Sequence, residues 1–354
     1  MTMTAPSIST PMMLNLTLVT LALFYIYIIL DRHESHPIVV SSSTPTKLNL
    51  GQRGLESERQ DPLDLDVDDA DAFGDVMESF LQEKPVMHTF FQHIDKAHHK
   101  RGSTLNQGSG MSDVGHSKLL SAWRQAWEDA GWETVILDLD DAKAFPDYSS
   151  IRDFLDTQDF GEYDELCFLR WFAMISAGGG WMSDYDVFPI KENIPESIMK
   201  SVGLPNDGEF TAYDNGGLAP SLLSGTKDEW ERMAYGLIDM ANSQQQGFYS
   251  DMLALDDYAD SFQNAFVKEY AVAWRLSDMM KSRGNIDCRR VWDEYNMKQQ
   301  YWAIHFSHWN IRDALDHHSI SDGLGRDDRA DIANDFLDQW QDQCVDDNYD
   351  LLLR

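Results

Sequence analysis

Residues Met12 to Leu30, MMLNLTLVTLALFYIYIIL, form an uncharged apolar run of nineteen positions. At about 1.5 Å rise per residue, a helix of that length matches a hydrocarbon core of ~30 Å. A cleavable leader would carry a basic segment, a shorter apolar stretch and a small-residue cleavage site. Here no Lys or Arg precedes the run and the charged DRHESH follows it directly. The expectation is an uncleaved transmembrane signal-anchor over 12–30, after a short tail over 1–11. From 31 to 83 the chain reads SSSTPT, GQRGLESERQDP and then the acidic DLDVDDADAFGD. Low apolar content and like charge predict an extended stem. Aromatic and apolar residues recur from Pro85 onward, so a single folded domain is expected over 84–354.

Sixty acidic residues against 28 basic ones give a formal charge of −32. A partner gripped by its phosphate backbone needs clustered Lys and Arg, so nucleic acid is disfavoured. A small phosphorylated ligand would need a cation to screen the carboxylates around it. The three cysteines, Cys167, Cys288 and Cys344, supply neither a disulfide scaffold nor a four-cysteine zinc site. Cys288 and Cys344 could pair in an oxidising compartment or stand as two free thiols; Cys167 lies in an apolar run and is expected to pack.

Strand-like Val86 to Phe91, a helix from about Ser117 to Ala130 and a strand Thr134 to Leu137 make a βαβ-like opening. A short helix over Asp153 to Phe160 and an apolar helix over Tyr163 to Ala177 follow, the latter ended by Gly178-Gly179-Gly180. Helical patterns recur over Glu229 to Met240, Ser250 to Ala259 and Arg329 to Gln343. The fold class is α/β. Trp123, Trp127 and Trp132 stand at near-helical spacing and are expected to cover the core.

A bare Asp-x-Asp carries little in so acidic a chain, which holds five of them. Three fall in the stem. Asp138/Asp140 ends an apolar strand, TVILDLDD, but lacks further context. Asp184/Asp186, in GGGWMSDYDVFPI, follows glycines that permit tight backbone approach and a short buried strand. In an extended segment residues two apart share a side, so both carboxylates could face one hard divalent cation. His305 and His308, in YWAIHFSHWNI, are candidate late ligands, and their spacing does not choose between them. His93, His98 and His99 read as loop residues, Asp214-Asn215-Gly216-Gly217 as a turn, and Asp251 as the opening of a helix.

The stretch DELCFLRWFAMISAGGGWMSDYDVFPI resembles the signature of the glycosyltransferase sugar-binding family that contains a DXD motif, similar to glycosyltransferase family 32 and fungal outer-chain-initiating mannosyltransferases. Gly179-Gly180 keep the family spacing to Asp184 and Asp186, and Arg170 matches its helix arginine. Cys167 stands where that family usually has an aspartate, with Asp164 and Glu165 one turn earlier. The resemblance implies a GT-A-like, Rossmann-type catalytic domain and a retaining hexosyltransferase. It implies a nucleotide-diphosphate sugar donor and a glycan, glycoprotein or glycolipid acceptor. It also implies Mn²⁺ or Mg²⁺ held by Asp184, Asp186 and a late histidine, His305 or His308. Arg170, Asp184 and Asp186 would be the catalytic set, with Arg170, Asp164, His88 and Phe90 lining the donor. A Golgi or other secretory-pathway membrane, with the domain in the lumen, goes with the anchor. The alternative is a catalytically inactive lumenal relative that binds glycans or partners.

Overall fold

The computed structural model describes residues 84–94, 111–158, 160–199, 203–214, 219–243, 249–273, 275–281, 284–288 and 301–346. The expected tail, anchor and stem lie outside these residues. Among the described residues no helix is long and apolar enough to cross a membrane.

The described chain is mixed α/β, with an eight-stranded curled sheet and helices on both of its faces. In chain order the strands are β1 (Val86–Phe90), β2 (Glu133–Leu137), β3 (Gly179–Ser183), β4 (Val187–Pro189), β5 (Thr211–Asp214), β6 (Leu222–Thr226), β7 (Val267–Ala273) and β10 (Ala303–His305). Met280–Lys281 and Asn285–Ile286, β8 and β9, form a small hairpin of their own. The helices are α1 (Asp113–Asp129), α2 (Leu139–Lys143), α3 (Tyr148–Thr157), α4 (Glu162–Ser176), α5 (Glu196–Met199), α6 (Lys227–Ser243), α7 (Asp251–Ser261), α8 (Leu276–Met279), α9 (His308–Asp316) and α10 (Arg329–Trp340). The expected βαβ opening is present, since β1 pairs in parallel with both β2 and β3.

The sheet order is β2-β1-β3-β6-β5-β7-β10-β4. Consecutive strands β3 and β4 therefore sit third and eighth, joined only by Asp184, Tyr185 and Asp186. In a flat sheet five strand spacings would separate them by about 24 Å. Four virtual bonds from Ser183 to Val187 span at most about 14 Å. The sheet has to curl so that its far edge returns beside β3. At that edge β4 runs antiparallel to β10, with Val187 opposite His305.

Alternation along each strand feeds two cores. Met87, Trp181, Tyr213 and Leu222 join one with Trp123, Trp127, Trp132, Phe306 and Phe336; Met182, Ala212 and Leu223 join the other with Phe168, Phe172 and Trp230. All three expected tryptophans are buried. Helix α1 begins early, at Asp113, because Ser112 caps it by accepting from the Gly115 amide at 3.1 Å. Two of its indoles reach the β3–β4 link. Trp123 Nε1 donates to Ser183 Oγ at 2.9 Å and Trp127 Nε1 to the Val187 carbonyl at 3.0 Å. Spaced four apart on one helical face, they fasten the two ends of the Asp184–Asp186 turn.

Cys288 and Cys344 are joined in a disulfide, with Cα atoms 5.4 Å apart, which settles the open choice between pairing and free thiols. It ties the turn after α10 to the segment following β9. Cys167 is a free thiol and half-buried.

The triple glycine ends α4 as expected. Gly178 takes the left-handed conformation (φ +97°) just past the helix. At Gly179 (φ +80°) an added Cβ would lie 2.5 Å from the backbone nitrogen of Lys227, at the start of α6. Gly179→Ala therefore combines backbone strain with a clash that cannot relax. We expect it to destabilise the domain by at least about 2 kcal/mol, read as a lowered midpoint in urea unfolding; a midpoint equal to wild type would show that the close approach is dispensable.

Candidate metal centre

Asp184 follows β3 at the carboxyl end of the parallel β1–β3 pair, where α/β sheets present their ligand sites. Its amide donates to the Ser221 carbonyl at 2.8 Å, and its carbonyl accepts from Val187 at 2.9 Å, closing the turn. Asp186 sits beside β10, because the Phe306 amide extends the β4–β10 ladder by donating to the Asp186 carbonyl at 2.7 Å. That pairing carries His305 to the motif: its Nε2 lies 3.2 Å from Asp186 Oδ1.

Each aspartate also receives a guanidinium. Arg170 Nη1 donates to Asp184 Oδ1 at 2.5 Å, and Arg329 Nη1 to Asp186 Oδ2 at 2.6 Å. Arg170 is itself held by Asp251, whose Oδ2 accepts from Arg170 Nε at 2.7 Å and Nη2 at 2.6 Å, and from Trp171 Nε1 at 2.9 Å. Asp251 does open α7, yet its carboxylate is spent on this arginine while Ser250 takes the N-cap place.

Asp184, Asp186 and His305 each offer a ligand atom, and the three atoms lie within 4.8 Å of one another. Ligands on one Mn²⁺ or Mg²⁺ stand roughly 4 Å apart at most, so a small closing movement would seat an ion. The charges agree. Asp184 and Asp251 pair with Arg170, Asp186 with Arg329, and Asp214 acts on His305; with that imidazole neutral, as a metal ligand must be, two negative charges remain, which one divalent cation would balance. The residues present fit a hard divalent cation with a mixed oxygen and nitrogen donor set.

Burial pushes Asp184 up to about 6, although Arg170 opposes it. Burial would raise Asp186 as well, but His305 and Arg329 hold it below the usual carboxylate range. For His305, burial favours the neutral ring, and Asp186 outweighs it, pushing the imidazole up to about 9. His308 moves the other way, lowered by burial and by Arg326 and Arg329.

Of the two candidate histidines, His305 stands with the carboxylates, while His308 lies beyond the Ser307 cap in the first turn of α9. His88 and Phe90 both pack against the cores: Nδ1 of the buried His88 pairs with the Trp181 carbonyl at 2.9 Å, and the partly buried Phe90 packs on the α4 side. Their neighbour Phe91 points elsewhere and meets Tyr185 edge-on, with centroids 5.6 Å apart. His116 Nδ1 lies 3.1 Å from the Tyr185 hydroxyl, completing an aromatic wall beside Asp184. Asp164 is fully buried in the first turn of α4, and Glu165 pairs with Arg152 at 2.9 Å. Neither takes up Arg170, whose carboxylate partner across from Cys167 is Asp251.

The rival pair Asp138/Asp140 forms a helix cap. Asp138 accepts from the Asp140 amide at 2.7 Å, Asp141 reaches back to the Asp138 amide at 2.8 Å, and Asp140 pairs with Lys143 at 2.7 Å. His93 is exposed and 3.6 Å from Asp113; His98, His99 and 215–217 lie outside the described residues. Arg329 was not singled out by its sequence. The available signal was an arginine in the first turn of a helix, the end that disfavours positive charge.

Two outcomes follow from this geometry. Asp251→Asn leaves Arg170 buried with one anion instead of two, and we expect a loss of about 3 kcal/mol in urea unfolding; an unchanged midpoint would remove Asp251 from the network. The raised pKa of His305 means that its pairing with Asp186 contributes stability fully below an unfolded-state value of about 6.5. That contribution is lost as pH rises through about 9. Unfolding of metal-free protein between pH 6 and 10 should show a decline that His305→Gln flattens, and parallel profiles would disprove the pairing.

Curated proteins give no match to the chain. A family model described as a domain of unknown function, DUF8765, matches residues 79–268, which takes in Arg170, Asp184, Asp186 and Asp251 but stops short of His305 and Arg329. With more than half of its length matched, the chain belongs to the DUF8765 family.

Proposed function

We propose that the protein is a metal-dependent, retaining glycosyltransferase that moves a hexose from a nucleotide-diphosphate sugar to a glycan, glycoprotein or glycolipid. The convergence of Asp184, Asp186 and His305 at the carboxyl ends of β3 and β10 carries the reading. The resemblance of the surrounding segment supports it, and with it a GT-A-like arrangement of the domain. A Mn²⁺ or Mg²⁺ held by these three residues would neutralise the charge of a departing diphosphate.

The remaining work falls to the chain. Arg170, clamped by Asp251, keeps Asp184 in one orientation, and the Trp123 and Trp127 indoles keep the turn from shifting. Precision of this kind is what electrostatic stabilisation of a leaving group requires. Phe91, His116 and Tyr185 offer aromatic surface next to the carboxylates. No side chain is assigned as a nucleophile, and delivery of the acceptor from the face of the leaving group needs none. The Cys288–Cys344 disulfide suits an oxidising lumen, and the apolar run at 12–30, read as an anchor, would hold the domain there, in the Golgi or elsewhere along the secretory pathway.

A second reading, a lumenal glycan- or partner-binding relative without turnover, draws on the guanidiniums that already occupy both aspartates. A donor-hydrolysis screen with UDP and GDP sugars, with and without Mn²⁺, separates the two. Transferase chemistry predicts Mn²⁺-dependent turnover that falls by about two orders of magnitude or more in Asp186→Ala. Metal-independent turnover, or full activity in the variant, would overturn it. Nucleotide binding with no hydrolysis or transfer would favour the second reading.

A further inference from the structure

Arg329 is one of the most deeply buried charges in the described chain, its side chain only 2% exposed. Among the described residues its one ion pair is with Asp186. Its other contacts are weak: Nη1 also reaches the Phe306 carbonyl at 3.4 Å, Nη2 lies against the thioether sulfur of Met111, and buried Nε has no hydrogen-bond partner. The first turn of α10 gives a cation no help, since that end of a helix favours anions. Desolvating a guanidinium at such a seat is costly. The position of Arg329 is therefore set by Asp186, more than by anything else it touches.

From this arrangement we infer that Arg329 is a built-in counter-cation: a positioning residue that holds Asp186 when no metal is bound and limits how tightly the site takes a divalent cation. The inference rests on the metal reading of Asp184, Asp186 and His305. The two oxygens of Asp186 are divided, Oδ1 toward His305 and Oδ2 on Arg329. An ion between Asp184, Asp186 and His305 needs only Oδ1. Arg329 can stay on Oδ2, which confines Asp186 to one metal-ligand oxygen and places a positive charge one carboxylate away from the ion. Both effects weaken binding, and both favour exchange of the metal over permanent retention. With the arginine gone, Asp186 would be a buried anion with one oxygen free and only His305 beside the other, and a divalent cation would be the stronger compensation.

The test uses the full-length chain in detergent, with Arg329→Gln and Arg329→Lys, and MnCl₂ as the probe. Mn²⁺ affinity is read from the free-ion signal in electron paramagnetic resonance, and thermal midpoints are taken with and without saturating Mn²⁺. Arg329→Gln should bind Mn²⁺ at least about tenfold more tightly than wild type, as expected from removing a unit charge near the ion. Its metal-free midpoint should fall and recover when Mn²⁺ is added, while Arg329→Lys stays close to wild type. Unchanged or weaker affinity in a folded Arg329→Gln overturns the inference. Should that variant fold only when refolded with Mn²⁺, the inference stands; should it stay unfolded with saturating Mn²⁺, Arg329 is a packing residue and the inference fails. Absence of Mn²⁺ binding in wild type sinks the metal reading beneath it, an outcome distinct from binding that the variants leave unaltered.

Discussion

The three-residue link between β3 and β4 is the constraint on which the rest of the domain depends. Because so short a span joins the third and eighth strands of the order, the sheet closes toward itself and the far edge, β10 and β4, comes to lie beside the parallel β1–β3 pair. The same closure brings His305 within reach of Asp186. It also creates a turn whose ends need support, which the Trp123 and Trp127 indoles give from one face of α1. The curvature of the sheet and the geometry of the carboxylates are consequences of one short connection.

Charge is distributed by the same logic. Two aspartates two residues apart would repel in a buried turn, yet each is given its own arginine from a different part of the chain: Arg170 on α4 for Asp184, and Arg329 on α10 for Asp186. Asp251 then fixes Arg170 from α7. The result is an alternating chain of carboxylates and guanidiniums with an imidazole at its centre, in which every member constrains the next. Such networks are costly to desolvate and hold together only when nearly complete.

How much of this was legible in the sequence varied with the range over which each feature is determined. The triple glycine, the apolar α4 and the buried tryptophans are local, and the structure shows them where the spacing places them. The choice of Asp184/Asp186 over Asp138/Asp140 rests on context, but the extended segment expected for it is a turn: the Val187 amide closes on the Asp184 carbonyl, and the two carboxylates converge across that turn, whereas a helix begins at Leu139 and consumes the rival pair as its cap. His305 and His308 could not be told apart, because a strand ends between them and Ser307 starts a helix, so equal spacing leads to different places. The sequence marks Asp251 only as a helix opener and does not mark Arg329 at all. Their partners lie 81 and 143 positions away in the chain, and no periodicity reports a pairing of that span.

The split of the site between distant segments has a consequence for how the protein comes into being. Strand β4 is an edge strand whose partner, β10, is made more than a hundred residues later, and Asp186 meets its imidazole and its guanidinium only from residues 305 and 329. During synthesis the first βαβ unit, α4 and its arginine can assemble while the motif turn still lacks half of its electrostatic surroundings. Asp186 thus remains an uncompensated acid on a nascent chain until β10 and α10 dock, and the centre is completed only once residues 305 and 329 have been made.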